Sequence, residues 1–266
     1  MRTLWTAVCF VILLTSASAA SVGTALVSEE GFILLDGEPR LLIGSYHLPG
    51  DDAFLHRLAE NGFNFVRGRA ETEVLDRIAA AGMYAWIPLG YTLALGEDDP
   101  VKSDRLRQTI EQYKDHPALA AWEAPDEALW LQWYNAFQWN IFEQPMRILA
   151  MIQGAAEHHE ESVIADWSAR RDKASDLIAR GLWAEGQALY DELWQELGQE
   201  NPHPEKSLTV CIERAHELGE ELSRGWRLVR GIDPDTVFWQ NHAPRNTIAA
   251  LQWYNRKVHA AGCDIY

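Results

Sequence analysis

The chain has 266 residues, 47% hydrophobic and 23% charged, with a formal net charge of -16. That acidity excludes nucleic acid and anionic membrane as partners, since both call for a basic surface. Three cysteines in this length are no disulfide scaffold, and the length fits one α/β barrel or about two smaller domains.

Residues 1–20 read as an export signal. Met1-Arg2 gives a positive start, "LWTAVCFVILL" is an apolar core too short to span a bilayer, and "TSASAA" offers small residues for cleavage near Ala19 or Ala20. The mature chain, 21–266, is therefore expected to be secreted or periplasmic, without membrane contact after cleavage; a retained amino-terminal anchor is the alternative. Cys9 leaves with the signal, and spacing does not tell whether Cys211 and Cys263 pair.

From Glu30 the elements become regular. "GFILLDGEPR" predicts a hairpin turning at Asp36-Gly37, followed by the apolar run "LLIGSYHL". "DDAFLHRLAENG" has Asp51 or Asp52 as N-cap, apolar residues at helical spacing and Gly62 as its stop, and "FNFVRGR" is the strand after it. The unit recurs in "EVLDRIAAAG" before "MYAWIPLG", in "SDRLRQTIEQYKDHP" before "ALAAWEAP", and in "ERAHELGEELSRGWRLVRG" before "DTVFWQNHAP". It returns once more in "NTIAALQWYNRKVHAAG" before "CDIY". Amphipathic helices alternating with nearly unbroken apolar strands mean a parallel sheet covered by helices.

Strands beginning near Leu41, Asn64, Tyr84, Leu119, Val237 and Cys263 make six units. The predicted fold is an incomplete (β/α)8 TIM barrel lacking its last two units, with a helical insertion over 129–205. The competing fold, an open doubly wound sheet, lacks a glycine-rich phosphate loop after its first strand, where "GSYHLPGDD" has no G-x-G-x-x-G spacing.

A barrel of this kind places its site at the carboxyl ends of the strands. The residues there are Tyr46 and His47, Arg67 and Arg69, Tyr91, then Glu123, Asp126 and Glu127, then Asn241 and His242, and finally Asp264 and Tyr266. Each has a plainer reading: Arg67 as a structural ion-pair partner, His47 and His242 satisfied by backbone. No closely spaced His/Cys set appears, so neither a metal nor another cofactor is expected.

The stretch "ALAAWEAPDEALW" is the most informative. Trp122 and Trp130 flank the acids with apolar surface, which should raise a carboxyl pKa toward neutrality, as a general acid needs. The alternative is that the acids only favour the dipole of a helix starting near Ala128. In the following segment, Trp130, Trp133 and Trp139 are candidates for stacking on sugar faces, or for core packing.

"GFNFVR", "LDRIAAAGMYAWIPL", "YKDHPALAAWEAPDE" and "DPDTVFWQNHAP" resemble, in order, strands two to five of the barrel clan of retaining glycoside hydrolases that includes β-galactosidase-like and cellulase-like enzymes. The resemblance implies a carbohydrate substrate, Glu127 as acid/base, Asp126 where Asn is usual, and Arg67 as the arginine after strand two. It implies a nucleophile on strand seven, which this chain does not contain. Tyr46, His47, Tyr91, Asn241, His242, Trp130 and Trp133 are then expected to line the sugar site. Glu123 is expected to orient its neighbours. Because Glu123 and Glu127 lie on one loop, the chain as written is expected to be inactive, and a carbohydrate-binding or scaffold protein on a degenerate barrel is the alternative function.

Overall fold

The computed structural model describes residues 26–35, 37–243, 246 and 248–264. The proposed export signal, Asp36 of the hairpin turn and Tyr266 therefore lie outside the described residues.

Near the amino end, β1 (Leu26–Val27), β2 (Ile33–Leu35) and β3 (Glu38–Pro39) form a small antiparallel sheet. Leu35 pairs with Glu38, which leaves a two-residue turn, and Gly37 takes φ 80° there. A positive φ at this position is the backbone demand that the Asp-Gly pair meets.

The main sheet has six strands, all parallel and in chain order. They are β4 (Gly44–Ser45), β5 (Phe65–Arg67), β6 (Tyr84–Pro88), β7 (Leu119–Glu123), β8 (Val237–His242) and β9 (Ala260–Cys263). The crossovers are α1 (Asp52–Glu60), α2 (Thr72–Ala80) and α3 (Pro100–Tyr113). Asp51 caps α1 by accepting from the Phe54 N–H at 2.7 Å, and Gly62 ends that crossover at φ 89°.

Strand alternation divides the sheet into two faces. Val66, Ile87, Trp122 and Phe238 point outward into the core beneath the helices, with Leu75, Leu106 and Ile110. Phe65, Trp86, Val237 and Trp239 point to the other face, where Leu35 and Ile33 of the hairpin meet them. That face is concave. Neighbouring strands stand about 4.8 Å apart, so β4 and β7 would be about 14 Å apart in a flat sheet. Yet Tyr46, just past β4, hydrogen-bonds Glu123 at the end of β7. A chain-order parallel sheet so curled is what an incomplete barrel looks like. The concavity holds a cavity of about 310 Å³ walled by Phe65, Trp86, Ala121, Val237 and Trp239.

Between β7 and β8 lie α4 (Ala128–Gln138), a π turn at Trp139–Glu143, α5 (Gln144–Ala155), α6 (Glu161–Ala179) and α7 (Trp183–Glu196). Ser207 then caps the long α8 (Leu208–Ile232). The second core, Trp139, Ile148, Trp167, Tyr190 and Trp194, belongs to α5–α7 and the π turn.

The last unit differs from its predicted form. α9 (Ile248–Tyr254) is short, and the strand begins at Ala260 instead of Cys263. His259 N–H donates to the Phe238 carbonyl and Asp264 N–H to the His242 carbonyl, so backbone pairing along β8 claims these residues before a helix could. Gly262 is consequently a mid-strand glycine beside Trp239 and Asn241, not a helix stop.

Candidate active site

The carboxyl end of the sheet gathers Tyr46, Arg67, Trp86, Glu123, Asp126 and Asn241. Glu123 is the centre and is 0% exposed. Tyr46 Oη donates to its Oε1 at 2.9 Å, Trp86 Nε1 donates to its Oε2 at 3.2 Å, and Arg67 Nε stands 3.5 Å from Oε2. Burial dominates over these partners, and the Glu123 carboxyl is pushed up to about 7. Asp126 raises it further, whereas Tyr46, Arg67 and Trp86 pull it down. Near neutral pH Glu123 can therefore both hold and release a proton.

Asp126 is half-buried and joins the same network. Its Oδ1 accepts from Tyr46 Oη at 3.3 Å and from Asn241 Nδ2 at 3.0 Å. The loop that carries it is stitched to β8. Ala124 N–H donates to the Trp239 carbonyl, Gln240 Nε2 to the Pro125 carbonyl, and Glu127 N–H to the Asn241 carbonyl. Glu127 closes the loop at φ 49°, a left-handed conformation that side chains other than glycine rarely adopt. Arg67 is 35% exposed and its guanidinium lies 5.3 Å over the Tyr46 ring, so it faces both the acids and solvent.

The structure thus brings together Tyr46, Arg67, Asp126 and Asn241 of the predicted set, with Glu127 next in the loop. Others it places elsewhere. His242 follows Asn241 and points to the opposite face, where Nε2 meets Asn255 Oδ1 at 2.7 Å and burial pushes its pKa down. His47 is exposed, its N–H bonded to Ser45 Oγ. Tyr91 stands in a short 3-10 turn after β6, 43% exposed. Trp130 packs on Tyr134 and Phe137, and Trp139 is buried in the second core, which favours packing over sugar stacking for both. The side chain of Trp133 lies outside the described part of the structure.

The indole beside the buried acid is also not the one expected. Trp122 turns outward and donates to Asp233 Oδ2 at 2.7 Å, while Trp86, two residues before the end of β6, reaches Glu123. Two signals in the sequence mark the Glu123 site: an acid closing the unbroken run "LAAWE", and a tryptophan two residues before the end of the preceding strand.

The fold and the site together define an α/β protein whose curled parallel sheet carries an acid cluster at the strand carboxyl ends. No family model matches the sequence, and no curated protein matches it. The solved structures it is similar to include glycoside hydrolases. They include a calcium-binding mutant of Bacteroides uniformis β-glucuronidase 2 (TM-score 0.43, 14% identity, 88% of this chain and 22% of that one). Others are the β-galactosidase of the psychrophilic Marinomonas ef1 (0.43, 14%, 84% and 40%) and a glycosyl hydrolase family 2 member of Bacteroides cellulosilyticus (0.43, 11%, 91% and 23%). The chain spans less than half the length of each. Likeness at this level transfers neither a residue role nor an activity.

Proposed function

We propose that this exported chain carries a glycoside-hydrolase-type saccharide site, in which Glu127 is the proton donor and acceptor and Arg67, Asp126, Asn241 and Tyr46 bind sugar hydroxyls. The observation that carries the reading is the backbone of Glu127. A non-glycine residue held at φ 49°, its N–H fixed on the Asn241 carbonyl, stores strain at the edge of a polar network. Strain of this kind persists where a side chain must be held in a working position. The neighbouring groups suit saccharide recognition, for a guanidinium, a carboxylate and an amide each lie within or beside one hydrogen-bonded cluster.

Glu123, Asp126 and Glu127 all rise from one strand end and its loop. A retaining mechanism needs a second carboxyl group about 5 to 5.5 Å from the first, across the sugar carbon. Turnover accordingly requires a carboxylate on the far side of the sugar from this loop, and the geometry supports binding and proton transfer more directly than complete hydrolysis. A saccharide-binding role without catalysis is the second reading, favoured by that one-sided arrangement. The helix α4, which leaves directly from the acid loop, would form one wall over the site.

The test is calorimetric titration of the chain with a panel of neutral and acidic oligosaccharides, alongside aryl-glycoside hydrolysis. Binding that weakens in Arg67→Ala and Asn241→Ala supports the saccharide site. Hydrolysis lost in Glu127→Gln with binding retained would make it an enzyme, and no saccharide binding at all would sink the reading.

A further inference from the structure

Tyr46 stands between two carboxylates. Its hydroxyl is 2.9 Å from Glu123 Oε1 and 3.3 Å from Asp126 Oδ1, and it owns one proton, so it donates to one of them at a time. The other partners are donors in every state: Trp86 Nε1 and Arg67 Nε face Glu123 Oε2, and Asn241 Nδ2 donates to Asp126 Oδ1. A proton arriving on Glu123 has no acceptor at Oε2, because both groups there are donors. It must reside on Oε1, facing Tyr46.

We propose that Tyr46 is a positioning residue that reports the charge of Glu123 to Asp126 by reversing its hydrogen bond. With Glu123 ionised, the phenol proton lies on Glu123 Oε1. When Glu123 takes one proton from solvent, the new O–H donates to Tyr46 Oη, and the phenol proton turns about its C–O bond toward Asp126. No covalent bond to the phenol breaks, and one proton is gained in all. Asp126 then accepts from Tyr46 and Asn241 together, and the loop ending in Glu127 is held more tightly to β8.

The ring itself is held while its proton turns. Trp86 meets it edge-on at 5.4 Å and the Arg67 guanidinium covers it at 5.3 Å. Burial and the nearby acids raise the Tyr46 pKa, so the phenol stays protonated throughout. The charged groups facing the pair are Arg67 from β5, Asp126 from the loop, and Asp264 after β9, whose charge acts on Tyr46. The link to catalysis rests on Glu127 being the working acid, but the coupling does not.

Carbon-13 carboxyl spectroscopy on the full chain tests it without any saccharide. In the wild-type protein the Asp126 carboxyl signal should show a step at the pH where Glu123 titrates. Tyr46→Phe should remove most of that step, while Glu123 still titrates, now at higher pH because a hydrogen bond to its charged form is gone. Glu123→Gln, whose amide N–H₂ imitates the protonated acid, should lock Asp126 at its low-pH position. A wild-type Asp126 signal without the step, a step undiminished in Tyr46→Phe, or a Glu123→Gln signal at the high-pH position each overturns the relay. If the step appears but no saccharide binds, only the preceding functional reading falls.

Discussion

Glu123→Gln should remove the part of the pH dependence of stability that this carboxyl contributes in the wild type. The folded chain keeps the Glu123 proton up to about 7, while an ordinary glutamate releases it at 4.5. Between those values the folded state binds more protons than the unfolded one, so stability falls as pH rises. The favourable contribution is complete below the unfolded pKa and is lost as pH passes through the folded one. At about 1.4 kcal/mol per pH unit the loss amounts to about 3 kcal/mol. Glutamine has no proton to lose and keeps an amide oxygen for Trp86 or Arg67. Urea unfolding followed by tryptophan fluorescence, at about pH 5 and about pH 8, measures the difference. The wild type should lose about 2.5 kcal/mol relative to the variant between the two conditions, since part of the contribution is already gone at about pH 5. His242 and His259, both pushed down by burial, contribute stability that is lost as pH falls. They are present in both proteins and cancel. Parallel curves for wild type and variant would show that Glu123 does not titrate between those values, and the electrostatics of the cluster would have to be redrawn.

The remaining predictions concern backbone and packing. Glu127→Gly should raise stability by about 1 kcal/mol, because glycine adopts the left-handed conformation without the penalty a Cβ incurs, and a thermal melt reads this directly. The same variant should lose whatever proton transfer the loop performs, so stability and activity should move in opposite directions. Gly225→Ala should destabilise by about 3 kcal/mol, since the added methyl would strike the Leu93 backbone carbonyl and α8 or that turn would have to shift. A normal urea midpoint for this variant would mean that α8 does not seat on the turn after β6 as described.

The parallel α/β order is legible because helix stops and apolar strands alternate along the chain, and those signals are local. The Asp51 cap and the turn at Gly37 are local too, and both are found where the sequence puts them. What sequence does not reveal is which way the residues of β7 point. All five, Leu119 to Glu123, are buried, so no polar alternation marks the faces. A register shift opposite Ala85 and Trp86 adds a residue to β7, which leaves Ala120 and Ala121 both on the concave side and turns Trp122 outward. The flanking tryptophan therefore reads as a neighbour of the acids, although its indole binds Asp233. His242 is misplaced for a related reason: β8 is buried almost throughout, and only the partners Asp126 and Asn255 reveal that Asn241 faces in and His242 out. The final strand shows the opposite failure, in which a local helical pattern yields to pairing with a strand edge about twenty residues earlier in sequence, a contact that no window of local sequence contains.

The left-handed turn at Glu127 has a mechanical consequence. It is the corner at which the chain leaves the sheet, and α4 starts at the next residue. Eleven residues of helix make an arm of about 16 Å, so a change of about 10° in that one torsion would sweep its far end through about 3 Å. A saccharide that pressed on the Glu127 loop, or a proton that tightened it, would thus act on a lever whose long arm is α4, and a small turn at the acid would become a larger displacement at the far end of that helix.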